Sequence, residues 1–329
     1  MLKPRLMELG FNLIALLLVT GVIFVIILIV AVVAMLCGAS FKLYVARGAW
    51  FLLLPWVAWL YGSFVERNCF RVKRVTIESD NLPASFDGYR IVHISDVHLG
   101  SFDGRERALQ RAVNKINALQ PDLIAVTGDL VSMGHWELDG KQDILAELKA
   151  SDGVYSIMGN HDYSEYHRWE SQQAKSEAQD ELKRREREMG WNLLLNDNRT
   201  IARNGDSISI IGVENISAGR HSFRTYGNLQ QAMQDANGAY KVLLSHDPSH
   251  WRSEVLGKSD IDLMLAGHTH SMQVSLLGWS PSALLYDEYR GLYSENGQNL
   301  YVNVGLGETA FMARIGVVPE ITLIELKRK

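Results

Sequence analysis

The sequence predicts an α/β protein carried behind one or two N-terminal transmembrane helices. Three observations predict it. Leu9 to Phe41 is 33 positions without a charged side chain, and Gly48 to Val65 adds 18 more. Beyond Glu66, short apolar runs of strand length alternate with amphipathic helical segments. Five of those runs end on an aspartate, an asparagine or a histidine. The whole-chain average of 47% hydrophobic and 21% charged residues over 329 positions hides this division. A fully soluble chain is excluded, because an apolar run above about 18 residues reads as membrane-spanning. Disorder is excluded by the Leu, Ile and Val content of the remainder, which from about Val75 is long enough for one large core.

Leu13 to Leu36 would rise about 36 Å as a helix, enough for a hydrocarbon core of about 30 Å. Lys3 and Arg5 precede it as they would a signal peptide. Signal cores, however, run about 7–15 residues and end at a small-residue cleavage site, which is missing here. A retained helix is the reading. Ala49 to Phe64 is shorter and contains Pro55, with Trp50, Trp56, Trp59 and Tyr61 as interfacial aromatics. It is read as a second span, with an interfacial arm as the alternative. Residues 1–70 then form a membrane anchor. Lys and Arg flank the outer ends (Lys3, Arg5; Arg67, Arg71, Lys73, Arg74) more heavily than the connection (Lys42, Arg47). That bias puts the large domain on the cytoplasmic face of the inner, cytoplasmic membrane. A second run that fails to cross would move it to the opposite face.

Strands and helices then follow in order. Val75 to Glu78 and Ile91 to Ile94 read as strands around a turn at Asn81 to Gly88. Arg105 to Gln120 spaces Leu109, Ala112, Val113, Ile116 and Leu119 as a helix face and stops at Pro121. Leu123 to Val126 is a solid apolar run of the kind that buried parallel strands show. Ile144 to Leu148 suggests a short helix and Val154 to Met158 a strand. Ser164 to Met189 is highly charged and reads as a solvated helix, with Asp180–Arg184 and Glu181–Arg185 at i,i+4 spacing. Ile208 to Val213, Val242 to Leu244, Leu263 to Ala266, Tyr301 to Val304 and Ile321 to Leu326 complete the strands.

The chemistry lies at the carboxyl ends of these strands. IVHIS leads to Asp96 and His98, LIAVTG to Asp129, and VYSIMG to Asn160, His161 and Asp162. VLLS leads to His246, and DLMLAG to His268 and His270. In an open α/β sheet that edge is where sites assemble. Singly, each aspartate could be a turn former or helix cap and each histidine a packed side chain. Five of the ten histidines falling at these ends is what makes a metal site the better reading. A bound divalent cation makes hydroxide available near neutral pH. Oxygen and nitrogen donors without thiolate suit Mn²⁺, Fe or Zn²⁺. Other chemistries leave no trace: there is no Gly-x-Ser-x-Gly elbow, no Walker loop and no zinc-finger cysteine spacing.

Asp96-Val97-His98, Gly128-Asp129, Gly159-Asn160-His161-Asp162, His246 and Gly267-His268-Thr269-His270, in this order and with no ligand replaced, resemble the signature of the calcineurin-like metallophosphoesterase superfamily. The resemblance covers roughly Val75 to Leu326. The apolar N-terminus and the closing stretch from Arg314 to Ile321 resemble its bacterial membrane-associated branch. The resemblance implies a four-layer αββα sandwich over residues 71–329, carrying two divalent ions, Mn²⁺ foremost. It implies that Asp96, His98 and His270 hold one ion, that Asn160, His246 and His268 hold the other, and that Asp129 bridges them. His161 would act on the substrate by general acid catalysis or charge stabilisation. Asp162 would orient its neighbours, and Arg314 would lie near the site.

The expected enzyme is a membrane-anchored, metal-dependent phosphoric ester hydrolase in which metal-activated hydroxide attacks a phosphoester or pyrophosphate with His161 assisting. Its partners are the lipid bilayer and a phosphorylated small-molecule or lipid substrate, lipid-linked or nucleotide-linked. A general envelope phosphodiesterase or phosphatase on soluble substrates and a non-catalytic metal-binding scaffold are the alternatives. A net charge of −4 and a pI near 6.2 give no footprint for a nucleic-acid-binding module. Cys37 and Cys69 are too few for a disulfide framework. His93 and His250 read as structural. His135 and Trp136 could border the substrate, and Arg220, His221 and Arg224 form a small basic cluster in a loop.

Overall fold

In the computed structural model, residues 2–219 and 222–329 are described, residues 2–8 by their backbone alone. Arg220 and His221, and the side chains of Lys3 and Arg5, therefore lie outside the described residues. The chain opens with α1 (Leu2–Leu36), followed by α2 (Phe41–Gly48), a tighter helical stretch Ala49–Leu53, and α3 (Leu54–Phe64). Pro55 sits in the first turn of α3, where a missing N–H costs nothing. Leu9–Leu36 and Phe41–Asn68 are each long and apolar enough to cross a membrane. They run antiparallel. The Trp59 indole donates to the Asn12 amide oxygen at 3.1 Å and the Trp56 indole to the Thr20 hydroxyl at 3.2 Å, while Gly48 abuts Ile27.

The strands form two sheets. They are β1 (Arg71–Ser79), β2 (Arg90–Ile94), β3 (Leu123–Thr127), β4 (Val154–Ile157), β5 (Asn192–Leu193), β6 (Asp197–Arg203), β7 (Asp206–Gly212), β8 (Tyr240–Leu244), β9 (Leu263–Ala266), β10 (Gly291–Glu295), β11 (Gln298–Val302) and β12 (Glu320–Arg328). One sheet has the order β1-β12-β2-β3-β4-β5 and the other β10-β11-β9-β8-β7-β6. In the first, β2, β3, β4 and β5 are mutually parallel; in the second, β7, β8, β9 and β11 are.

Three apolar layers separate four structural ones. Ile91, Leu123 and Ala125 of the first sheet meet Ile210, Val242 and Leu265 of the second in the middle layer. The outer face of the first sheet packs on α4 (Glu106–Asn117) through Leu109, Ala112, Val113 and Ile116. Burying each of those larger aliphatic side chains contributes about 1.5–3 kcal/mol. The short helix α5 (Gln142–Ala146) adds Leu145, and α6 (Gln172–Glu188) adds Leu182. The other outer face is covered by α7 (Leu229–Ala232) and by Trp251 and Val255. This is the αββα sandwich.

The charged segment differs in detail from its sequence pattern. It is helical only from Gln172, and Glu181 pairs with Arg185 at 2.7 Å. Asp180 and Arg184 do not pair, because Arg184 is taken by Glu181 and Glu188, leaving Asp180 beside Lys183. Its inner face buries Lys175, Ala178, Leu182 and Glu186.

Candidate metal centre

Strands β2, β3 and β4 of one sheet and β8 and β9 of the other point their carboxyl ends at one edge of the sandwich. The loops that leave them are strained. Asp96, His98, Asp129, His268 and His270 all have positive φ, between 43° and 70°. Such conformations cost non-glycine residues about 1–3 kcal/mol each and persist where the surroundings over-determine them. Two glycines allow the loops to meet. A Cβ on Gly159 would lie 2.3 Å from an Asp129 carboxylate oxygen, and one on Gly267 1.9 Å from the Ser95 hydroxyl.

Seven side chains converge. His270 Nε2 lies 3.2 Å from Asp96 Oδ1 and 3.1 Å from His98 Nε2. His246 Nε2 lies 3.2 Å from Asp129 Oδ2 and 3.2 Å from His268 Nδ1. Asp129 Oδ2 is also 3.6 Å from His98 Nε2, so that carboxylate stands between the two groups. Asp96, His98 and His270 form one metal-sized cluster, and Asp129, His246 and His268 another. His161, which also approaches His98 and Asp129, completes the seven.

The surroundings fix ring orientations, as outer partners of metal ligands commonly do. His246 Nδ1 is 2.7 Å from the Thr127 carbonyl, which can only accept, so the Nδ1–H donates and Nε2 is the atom that faces Asp129. His98 Nδ1 meets the Ser132 hydroxyl at 3.0 Å, and His268 Nε2 meets the Tyr286 hydroxyl at 3.0 Å. Asn160 Nδ2 donates to the Tyr166 hydroxyl at 2.9 Å, while its Oδ1 is buried without a hydrogen-bond partner. An unpaired buried acceptor costs about 1–3 kcal/mol. A buried amide oxygen left without a partner, in the loop that carries His161, fits a ligand to a divalent cation.

Charge is stored here as well. Burial opposes ionisation of Asp96, yet His270 beside it holds its carboxyl below the usual range. Asp129 is likewise held down against burial by His246 and His161. Burial in turn pushes the His98 and His268 imidazoles down, toward the neutral form that ligates metal.

Asp162 sits behind this cluster. Its carboxylate accepts the Val131 N–H at 3.0 Å and the Gly159 N–H at 2.9 Å, tying together the loops after β3 and β4. Arg314 is fully buried, donating to the Gly307 and Val304 carbonyls, and its Nη2 stands 3.5 Å from His270 Nδ1. It reaches the cluster from inside the protein. His93 is a core residue bonded to Thr127, and His250 is held by Ser245. Trp136 packs on His167 and Trp169 and borders a cavity next to the cluster, whereas His135 lies outside that lining, its carbonyl accepting from Arg185. Arg224 is exposed and stands over the Tyr226 ring.

Sequence reasoning missed Ser132, Glu137, Tyr166, Asp247 and Tyr286. The Glu137 carboxylate accepts N–H groups of Gly100, Ser132 and Met133, and so shapes the loop whose Ser132 carbonyl meets His161 Nδ1 at 2.9 Å. Asp247 Oδ2 lies 3.7 Å from His268 Nε2. Only Asp247 carried a signal, being the residue next to His246.

Two facing sheets that deliver carboxylates, an amide and imidazoles to one shared edge define the class of metal-dependent phosphoester hydrolases. The family model for calcineurin-like phosphoesterase matches residues 89–272, and the chain belongs to that family. It is 31% identical over 288 residues to a transmembrane protein with metallophosphoesterase domain from Danio rerio, covering 84% of this chain and 62% of the relative. The chain thus spans under two thirds of that relative's length. It is 28% identical to the uncharacterized metallophosphoesterase YkuE of Bacillus subtilis, over 81% of this chain and 89% of the relative. It is also 28% identical to the UDP-2,3-diacylglucosamine pyrophosphatase LpxG of Chlamydia trachomatis, over 78% of this chain and 89% of the relative.

Proposed function

We propose that the chain is a membrane-anchored hydrolase that uses two divalent metal ions to cleave a phosphoester or pyrophosphate bond in a lipid-linked substrate. The observation that carries this reading is the Asp129 carboxylate, standing between two clusters of donors. In it, Asp96, His98 and His270 hold one ion, Asn160, His246 and His268 the other, and Asp129 bridges. When bound, such a pair lowers the pKa of coordinated water and polarises phosphoryl oxygens. The chain supplies the rest. His161 Nδ1 is engaged by the Ser132 carbonyl, leaving Nε2 to present or withdraw a proton at the departing oxygen. Tyr166, stacked on the His161 ring at 4.0 Å, limits its rotation. Mn²⁺ is the proposed ion, following the superfamily resemblance; the thiolate-free donor set suits Fe or Zn²⁺ as well.

Residues 1–70 act as the anchor in the inner membrane and residues 71–329 as the catalytic domain on its cytoplasmic face, following the basic residues that flank the hairpin. A cavity of about 320 Å³ supports the lipid-linked substrate. It runs from Ser132 toward the hairpin, with Trp136, Phe311 and Met312 along its wall and Arg67 and Arg105 at its rim. The relationship to a pyrophosphatase of an acylated UDP-sugar supports the same class. The test compares a UDP-linked diacylated sugar with a soluble aryl phosphodiester, each in Mn²⁺ with the full chain in nanodiscs. Preference for the acylated substrate by at least tenfold in kcat/KM is expected. Equal or better turnover of the soluble ester would make it a general phosphodiesterase.

A further inference from the structure

We infer that the loop between the second-sheet site and β10, residues 271–286, is a second membrane contact that dips into the leaflet where α3 ends. The segment SMQVSLLGWSPSALLY has no charged side chain over its 16 positions. Leu277 is 100% exposed, Leu284 76%, Leu276 72% and Trp279 52%. Among the described residues of 71–329 outside the loop, only Tyr166, Phe223 and Leu292 are exposed large apolar side chains, so an apolar cluster of this size marks an interaction surface.

The backbone at the tip is built to present it. Leu276 and Trp279 exchange both backbone hydrogen bonds, at 2.8 and 3.0 Å, around Leu277 and Gly278. Both central residues have positive φ, as tight two-residue hairpins require, and Asn, Asp or Gly normally fill such places. A fully exposed leucine in the left-handed region gains nothing from water. Arg290 braces the turn by donating to the Gly278 carbonyl.

The occupant follows from what adjoins the loop. Val274 pairs with Ile315, and Ser275 N–H donates to the Ile315 carbonyl at 2.8 Å. Ile315 in turn packs on Gly62 in the last turns of α3, where an added Cβ would lie 3.0 Å from Ile315 Cγ1. One residue therefore separates the base of the loop from the second apolar helix. Tyr61 and Phe64 of that helix are exposed in the same region. A surface continuous with a membrane hairpin, apolar, uncharged and carrying a tryptophan, suits the headgroup boundary of a bilayer. At its other end Tyr286 touches His268, which brings the candidate metal centre to the same boundary. The inference rests on the reading of α1 and α3 as a membrane hairpin and is independent of the substrate.

The experiment uses the full chain with Cys37 and Cys69 changed to serine, in vesicles of phosphatidylcholine and phosphatidylglycerol. An environment-sensitive nitrobenzoxadiazole probe is attached at Leu277→Cys, and separately at Leu284→Cys, Val25→Cys and Asn296→Cys. Asn296 lies in the β10–β11 turn, at the sheet edge opposite the site. Nitroxide lipids labelled high on the acyl chain should quench Leu277 and Leu284 probes at least threefold more than the Asn296 probe. The Val25 probe, quenched by deep nitroxides, reports the hairpin separately. Quenching at Leu277 and Leu284 no stronger than at Asn296 overturns the inference, whatever Val25 does. A blue-shifted Leu277 probe insensitive to lipid quencher would mean a protein partner, and overturns it too.

Discussion

His161 Nδ1 lies 2.9 Å from the backbone carbonyl of Ser132. A carbonyl only accepts, so this contact fixes a proton on Nδ1 and leaves Nε2 as the nitrogen for the proposed acid–base role. The same loop gives its Ser132 hydroxyl to His98. One short loop therefore sets two imidazoles at once. His161→Ala should lower kcat by about 10²–10⁴, the range for losing a positioned acid or base. Metal content, read by mass spectrometry, should stay at two ions per chain. Loss of both ions in this variant would move His161 into the ligand set.

Asp129→Asn should behave differently. The buried carboxylate faces His98 and His246, where in the proposed centre it would offset the repulsion between two cations. An amide keeps the shape and loses the charge. The variant should bind at most one ion with full affinity, and its activity should fall to background with the fold intact by circular dichroism. Two tightly held ions in Asp129→Asn would remove the bridging role.

Glu186 supplies the pH dependence of stability. Its carboxyl is buried on the inner face of α6, where burial lifts its pKa to about 7. Oε2 accepts the Ser156 hydroxyl at 2.6 Å and Oε1 has no partner, so the neutral acid is the form that fits. Between its unfolded value of about 4.5 and the folded value, the native state holds one proton more than the unfolded chain. Stability from this group is thus complete below about 4.5 and is lost as pH rises through about 7. The loss amounts to about 3 kcal/mol at most. Glu186→Gln lacks that loss, so its melting temperature relative to the parent should climb from pH 5 to pH 8.5. A pH-independent difference would show that Glu186 is ionised throughout.

The metal-centre candidates were legible because each stands directly after an apolar strand, and adjacent parallel strands bring such residues to one edge whatever the intervening loops do. Asp96, His98, Asp129, Asn160, His246, His268 and His270 needed only strand assignment. Tyr166, Glu137 and Tyr286 needed the loops, whose course depends on tertiary contacts and leaves no local pattern. The strand over 197–203 was missed because DNRTIAR is an edge strand with one buried side chain, Ile201, and so shows little apolar alternation. The 271–286 loop was written in the sequence as an uncharged run, but too short and too broken by Gly278 and Pro281 to read as a span. Its meaning came from exposure.

Asn12 joins the apolar helical hairpin to the sandwich, and its loss should be felt at the site. The side chain is fully buried in α1. Its Nδ2 donates to the Ala310 carbonyl at 3.1 Å, and its Oδ1 accepts the Met312 N–H at 3.0 Å as well as the Trp59 indole. The 309–313 loop so held is gripped from the other side by Gln273, whose Oε1 accepts the Thr309 N–H at 2.8 Å. Gln273 is three residues beyond His270. Asn12→Leu removes the amide and strands the indole, the Met312 N–H and the Ala310 carbonyl, at about 1–3 kcal/mol each where water cannot reach them. Hydrogen exchange at Met312 should accelerate at least tenfold in nanodiscs, and Gln273→Ala should accelerate the same segment. Metal affinity should weaken in both variants, because His270 loses its support from this side. Unchanged protection at Met312 in Asn12→Leu would mean that the domain holds this loop by itself, with the hairpin a tether and no more.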